Sequence, residues 1–406
     1  MSDVWVAGAA MTVFGRTPKG PHELAAEAVL AALADAGVDA SEVGQVVVGN
    51  ASAGLLLGQE MIRGQVFLAD TPLIGAPMIN VENACASSST AFAVAVSAVR
   101  SGMVDVAVAL GVEKMAIPEK ARIFGALAAA TDTLRRPDMR AYVEACALGE
   151  RPEGWAAPTS SPFMDHYAAK GERYLEKTGS TVADFARVVV KSRGYAQHNP
   201  NAQFAKPTTV EEVLAGRTIS GPLTLAMCAP IGDGAAALVV VSDAVARRLG
   251  RRAVRVAATS LVSGNPADPL PPVTRAARRA YEVSGFAPAD VSVVEVHDAA
   301  APAELFCLED LELCREGEAV ELLRAGVSGP GGARPVNPSG GLLSRGHPIG
   351  ATGCGQLVEL ADQLRGRSGA RQVPRARIGL AQNAGGVLGE NEGAAVVTIL
   401  ERVAGA

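Results

Sequence analysis

The sequence predicts an α/β protein built from two similar halves stacked in layers, and three observations carry that prediction. First, a helical pattern over residues 24–37 leads through a turn into the β-branched run Val46-Val47-Val48, and the same order recurs when residues 274–285 lead into Val291-Ser292-Val293-Val294. Second, each half closes on a related apolar strand, residues 233–241 in one and 392–400 in the other. Third, helices alternate with short strands along most of the chain, which is the pattern of layered α/β folds. The boundary falls near Gly250, giving halves at 1–250 and 251–406, expected as two similar sheets packed around shared helices. Between matched landmarks the first half is longer. Its surplus, about 113–221, is interrupted by Pro, Gly and charges and reads as an inserted loop domain.

Bulk properties narrow the function. A chain of 406 residues with 49% hydrophobic and 19% charged residues exceeds one ordinary core, so two or three core units are expected. The net charge of −5 is spread along the chain without a basic stripe, which excludes nucleic acid as the main partner. The most apolar stretch, 223–241, is broken by Pro230 and Asp233 and falls short of the ~18 uninterrupted apolar residues of a membrane span. The N-terminus enters a strand-like alternation with no basic region and apolar signal core, which points to the cytoplasm. Six cysteines without CxxC or zinc-ligand spacing suit free thiols in a reducing compartment and predict no metal site.

One of these thiols stands out. Residues 78–82 read as a strand and 91–99 as an apolar helix, so Cys85 in NACASSSTA lies at the turn between them. There it faces the positive end of the helix, an arrangement expected to favour the thiolate and lower the pKa from roughly 8.5. His347, in the glycine-rich turn at 337–353, occupies the corresponding place in the second half. A twofold relation between the halves brings thiol and imidazole together, as nucleophilic catalysis by cysteine requires.

Together, NACASSSTA, GHPIGATG and the glycine-rich terminal strand resemble the thiolase superfamily over nearly the whole chain. VNPSGGLLSRGHPIGATG, the His297-Asp298 pair and CAPIGDGAAALVV resemble its sterol-carrier-protein-x type branch. The resemblance implies a thiolase fold of five α-β-α-β-α layers and an acyltransferase that uses a coenzyme A thioester as substrate and binds no cofactor. It assigns acyl attachment to Cys85 and proton acceptance to His347, which then helps hold the thioester oxyanion. His297 becomes a second oxyanion donor, where other thiolases use an Asn. Backbone N–H groups of Cys85 and Gly385 form another oxyanion hole. The resemblance also implies a homodimer and, in related lineages, a small zinc-ribbon and OB-fold partner. Loop domains in the family line the acyl and CoA pocket, which makes His166 a candidate pocket residue, although an exposed helix position is the expected placement. His22 and His198 are expected at the surface.

The family pattern breaks at one point. Carbon–carbon chemistry in thiolases uses a second cysteine as acid and base, found after the HD pair in this branch and in a CxG motif elsewhere. Here those positions hold Ala299 and Asn383, and an amide cannot exchange a proton at neutral pH. Asn383 remains a candidate substrate-pocket residue. Three readings stay open: thiolysis of a β-ketoacyl-CoA or transfer to a carbon nucleophile; acyl transfer to a non-CoA acceptor such as an aromatic carbon or an amine in specialised metabolism; and a thiolase-like subunit of a complex, with retro-aldolase or scaffold roles.

Overall fold

The structure, a computed structural model, describes residues 2–134, 161–250 and 253–403. Cys146 and part of the predicted loop domain lie outside these residues. The main strands are β1 (Val4–Met11), β2 (Gln45–Gly49), β3 (Met78–Val81), β4 (Val106–Glu113), β5 (Gly234–Ser242), β6 (Val254–Ser263), β7 (Val293–Glu295), β8 (Ile378–Leu388) and β9 (Asn391–Glu401). The principal helices are α1 (Pro21–Ala36), α2 (Ser87–Arg100), α3 (Lys120–Ala128), α4 (Pro162–Thr178), α5 (Val182–Ala196), α6 (Pro272–Ser284), α7 (Ala301–Asp310) and α8 (Thr352–Arg365).

The repeat read from the sequence has a local cause that both halves share. Helices α1 and α6 start on a proline and stop at Gly37 and Gly285, whose φ values of 68° and 75° are the left-handed conformation that ends a helix without a Cβ clash. A single 3₁₀ turn then leads into β2 or β7. Strand order repeats as well. In the first half it is β3-β2-β4-β5-β1, and in the second β7-β8-β9-β6. The β2/β4 and β7/β8 pairs are parallel, and the pairs that follow in each half are antiparallel. An isolated parallel bridge from Val336 to Val294 stands on β7 where β3 stands on β2.

The two similar sheets expected from the sequence are joined at one edge. Antiparallel pairing of Trp5 with Arg255 and Val6 with Val254 joins β1 to β6, so the strands form one hydrogen-bonded run of nine. The two halves of that run face each other across α2 and α8, while α1 covers one outer face and α6 the other. This gives the five layers. Strand β5 explains why its sequence is an unbroken apolar run: Ala236, Leu238 and Val240 enter the inner core beside α2 and α8, and the alternate residues Ala235, Ala237, Val239 and Val241 enter the outer core under α1. The described part of the insertion does not stand alone. Phe185, Val188 and Val189 of α5 share an apolar core with α6 and α7 of the second half. No helix of the described residues is long and apolar enough to cross a membrane.

The first turns of α2 and α8 meet at the centre with only small groups between them. Ser88 Oγ accepts the Cys354 N–H at 3.0 Å. A Cβ added at Gly111 would lie 2.5 Å from Ser88 Cβ and 2.6 Å from the Gly350 carbonyl oxygen. Gly111→Ala is therefore expected to destabilise the protein by about 1–3 kcal/mol, read as a lower denaturation midpoint, whereas Gly194→Ala, which meets nothing within 4 Å in α5, should leave the midpoint unchanged or raised.

Candidate active site

The turn that carries Cys85 is held by its own residues. Ala84 has φ of 48°, a conformation disfavoured for any residue with a Cβ, and it swings the chain from β3 into a 3₁₀ turn before α2 begins. Ser87 Oγ donates to the Ala84 carbonyl at 2.6 Å and accepts the Asn83 N–H at 3.0 Å, and Asn83 Nδ2 donates to Thr90 Oγ1 at 2.9 Å. Gly385 of β8 closes the other side. A Cβ there would lie 1.9 Å from the Asn83 carbonyl oxygen and 2.7 Å from Ala86 N, so only glycine lets β8 pass this close to the nucleophile turn.

Cys85, His297 and His347 come together here: the thiol sulfur and a ring nitrogen from each imidazole all lie within 4.8 Å of one another. The two rings stand edge to face at a centroid distance of 5.1 Å. His347 Nδ1 is 2.7 Å from Thr352 Oγ1, whose own hydroxyl donates to the Pro348 carbonyl at 3.0 Å. That leaves Thr352 as acceptor, fixes the proton on Nδ1 and presents Nε2 with its lone pair free. His297 follows β7, and its backbone N–H is held by Gln382 Oε1 at 2.9 Å. Its Nε2 is buried without a hydrogen-bond partner. The adjacent Asp298 does not satisfy it: Asp298 Oδ1 accepts from Leu342 N at 2.7 Å, and its Oδ2 has no hydrogen-bond partner.

The expected lowering of the Cys85 pKa is not what the surroundings produce. Burial, reinforced by the Glu113 carboxylate, pushes the thiol up to about 12. A helix end contributes about 0.3–1 kcal/mol, under one pKa unit, and desolvation outweighs it. The resting group is a neutral thiol. Burial also lowers His297 to about 4 and puts His347 well below its usual value, so both imidazoles are neutral near pH 7.

Two residues outside the sequence reading position these groups. Thr352 sets the His347 tautomer. Glu113, fully buried at the end of β4, accepts from Ser52 Oγ, the backbone N–H groups of Ala51 and Ser52, Asn50 Nδ2 and Gly350 N, and so ties the His347 loop to the first half. Both were legible in part, as a hydroxyl near the histidine and an acid ending an apolar strand, but neither spacing specifies its partner.

An apolar cavity of about 230 Å³ opens from Cys85, His297 and His347. Its wall includes Phe124 and Leu127 of α3, Phe163 and Met164 of α4, Ile349 and Val387. His166 also lines it; it is 3% exposed, which corrects the expected surface placement. Ala299 lies in the same wall, where a second cysteine would stand in this branch. Asn383 is placed differently: it is 1% exposed, accepts from Ser89 Oγ at 3.0 Å, and is not part of the cavity wall. His22 and His198 are exposed.

The depressed histidines make stability depend on pH. Between the unfolded value near 6.5 and the folded value of about 4 for His297, the unfolded chain binds a proton that the native state refuses, so stability falls as pH falls through this window. His297→Asn is expected to flatten the acid limb by about 1.4 kcal/mol per pH unit, measured by denaturant unfolding from pH 7 to pH 4.

Comparisons with known proteins agree with this geometry. Residues 4–244 match the family model for the thiolase N-terminal domain, and residues 267–402 match the model described as thiolase C-terminal domain-like. An acetyl-CoA acetyltransferase from Methanothermobacter thermautotrophicus is 36% identical over 401 residues, covering 96% of this chain and 98% of the relative. Sterol carrier protein 2 from Bos taurus is 36% identical over 412 residues, covering 98% of this chain and 72% of the relative. A solved structure, Ltp2-ChsH2(DUF35) aldolase, superposes with a TM-score of 0.77 at 25% identity and covers 98% of each chain. The chain is thus a member of the thiolase superfamily, in its sterol-carrier-protein-x-like branch, and an acyl-CoA-dependent acyltransferase.

Proposed function

We propose that the protein takes an acyl group from a coenzyme A thioester onto Cys85 and transfers it to CoA, the direction of β-ketoacyl-CoA thiolysis, or to a carbon nucleophile. The observation that carries this reading is the convergence of Cys85, His297 and His347 in the wall of an apolar cavity. Acylation begins as His347 Nε2 accepts the Cys85 proton while sulfur attacks the thioester carbon. The carbonyl oxygen then carries negative charge, which donors from His297 and protonated His347 stabilise. The intermediate collapses with the carbon–sulfur bond to CoA breaking, and the leaving thiolate takes the proton back from His347. Backbone N–H groups of Cys85 and Gly385 receive the acyl oxygen of the resulting thioester. The buried, unpartnered Nε2 of His297 suits a donor that finds its acceptor only when substrate arrives.

Ala299 favours a second reading of the transfer half. With alanine at this position the wall lacks the thiol that this branch places there, and the cysteine described in the wall besides Cys85 is Cys228, whose thiol burial pushes up to about 12. An acceptor that is already nucleophilic, an electron-rich aromatic carbon or an amine, needs no such thiol. A carbon–carbon cleavage carried out with a partner subunit does need a proton for the carbanion it leaves, from the partner or from water; the aldolase on which this chain superposes is named for two components, Ltp2 and ChsH2. Intact-protein mass spectrometry after incubation with acetyl-CoA and longer acyl-CoAs is expected to show one acyl adduct that Cys85→Ala abolishes, and His347→Ala should slow its formation by about 10²–10⁴-fold. An adduct that persists in Cys85→Ala rules out the covalent mechanism. Adduct formation without CoA-dependent cleavage of β-ketoacyl-CoAs selects the second reading.

The quaternary part of the proposal is a homodimer through the β3 edge. Among the described residues β3 pairs only with β2, and its Ile79 is 39% exposed, as Met61 and Ile62 are exposed. An open strand edge with apolar side chains calls for a cover. Ile79→Lys is expected to shift sedimentation from dimer to monomer, and an unchanged mass would remove β3 as the interface.

A further inference from the structure

The three side chains of the reaction centre also satisfy the requirements of a metal site. We propose that Cys85, His297 and His347 together bind one thiophilic divalent cation of the zinc class, with water in the fourth position, and that its occupancy withholds the thiol from acyl-CoA. The site offers one sulfur and two imidazole nitrogens within 4.8 Å of one another. Tetrahedral zinc, with bonds of about 2.3 Å to sulfur and 2.0–2.1 Å to nitrogen, separates such atoms by about 3.6 Å, so a small rotation of the side chains closes the site. Three protein ligands of sulfur and imidazole type with one position left open follow the general pattern of open zinc sites.

Two further features support the assignment. His347 is oriented as a metal-binding histidine is, with its far nitrogen tied to a second residue: Nδ1 is held by Thr352 at 2.7 Å and Nε2 is left to coordinate. His297 Nε2 is buried without a hydrogen-bond partner, an arrangement that costs free energy until a donor, an acceptor or a cation meets it. An asparagine in place of His297 would leave only a cysteine and one histidine, too few to hold zinc firmly. The charge is tolerable, because the thiolate cancels one positive charge and the buried Glu113, bonded to Gly350 three residues beyond His347, lies against the same loop. On binding, the Cys85 S–H bond breaks, its proton leaves to solvent, a sulfur–metal bond forms and each imidazole contributes a lone pair. No oxidation or reduction takes place, and a chelator reverses the reaction.

The test uses Co²⁺ as a spectroscopic probe on the purified full chain in thiol-free buffer. One equivalent is expected to produce an intense near-ultraviolet thiolate-to-cobalt band together with visible bands of tetrahedral cobalt. Cys85→Ala should lose the near-ultraviolet band, Cys228→Ala should keep it, and His297→Asn should weaken cobalt binding at least tenfold, with circular dichroism confirming that each variant is folded. One equivalent of Zn²⁺ should also block alkylation of Cys85 in peptide mass spectrometry. Absence of tetrahedral cobalt in the wild type, or a charge-transfer band that survives Cys85→Ala or disappears in Cys228→Ala, would overturn the proposal. None of these readouts requires acyl transfer, so failure of the metal site and failure of the acyl-enzyme mechanism are separable.

Discussion

The close meeting of two helix starts is the constraint on which the rest depends. Helices α2 and α8 approach through their first turns, where a Cβ at Gly353 would lie 2.7 Å from Ser89 N. The glycines and serines here serve this approach more than local helix propensity, which most of them weaken. Cys85 sits just before one helix and His347 just before the other. A bulkier side chain in the joint would separate thiol from imidazole and open the water-poor end of the cavity.

That joint carries an energetic tension. The three groups gathered there are held in their neutral forms: the thiol and both imidazoles by desolvation, with His297 adding to the lowering at His347. The Ala84 backbone is strained as well. Compensation comes from hydrogen bonds a few ångströms away, with Glu113 gathering donors from both halves and Ser87, Asn83 and Thr90 locking the nucleophile turn.

The cavity wall gives the absent second cysteine a physical meaning. Ala299 faces the same space as Cys85, so its methyl group replaces a proton-exchanging thiol with inert surface. Asn383 stands on the opposite face of β8 and belongs to the packing of α2 through Ser89. Successive residues of a strand point to opposite sides, so Ala384 reaches the cavity where Asn383 does not, and beyond Gly386, whose φ of 66° breaks the alternation, Val387 returns to the wall.

The sequence by itself determined the layered α/β class, the repeated helix–turn–strand unit and the placing of Cys85 and His347 before equivalent helices, because these rest on local periodicity, on glycine stop signals and on motifs contiguous in the chain. Tertiary structure alone decided the joining of the two half-sheets through β1 and β6, the burial of His166 and the raised rather than lowered thiol pKa. Each of these depends on which distant residues surround a group. A helix dipole can be read from a turn, but the desolvation that outweighs it comes from elements hundreds of residues apart closing over Cys85. The partners of Glu113 and Thr352, and the isolation of His297 Nε2, became visible only once both halves were in place.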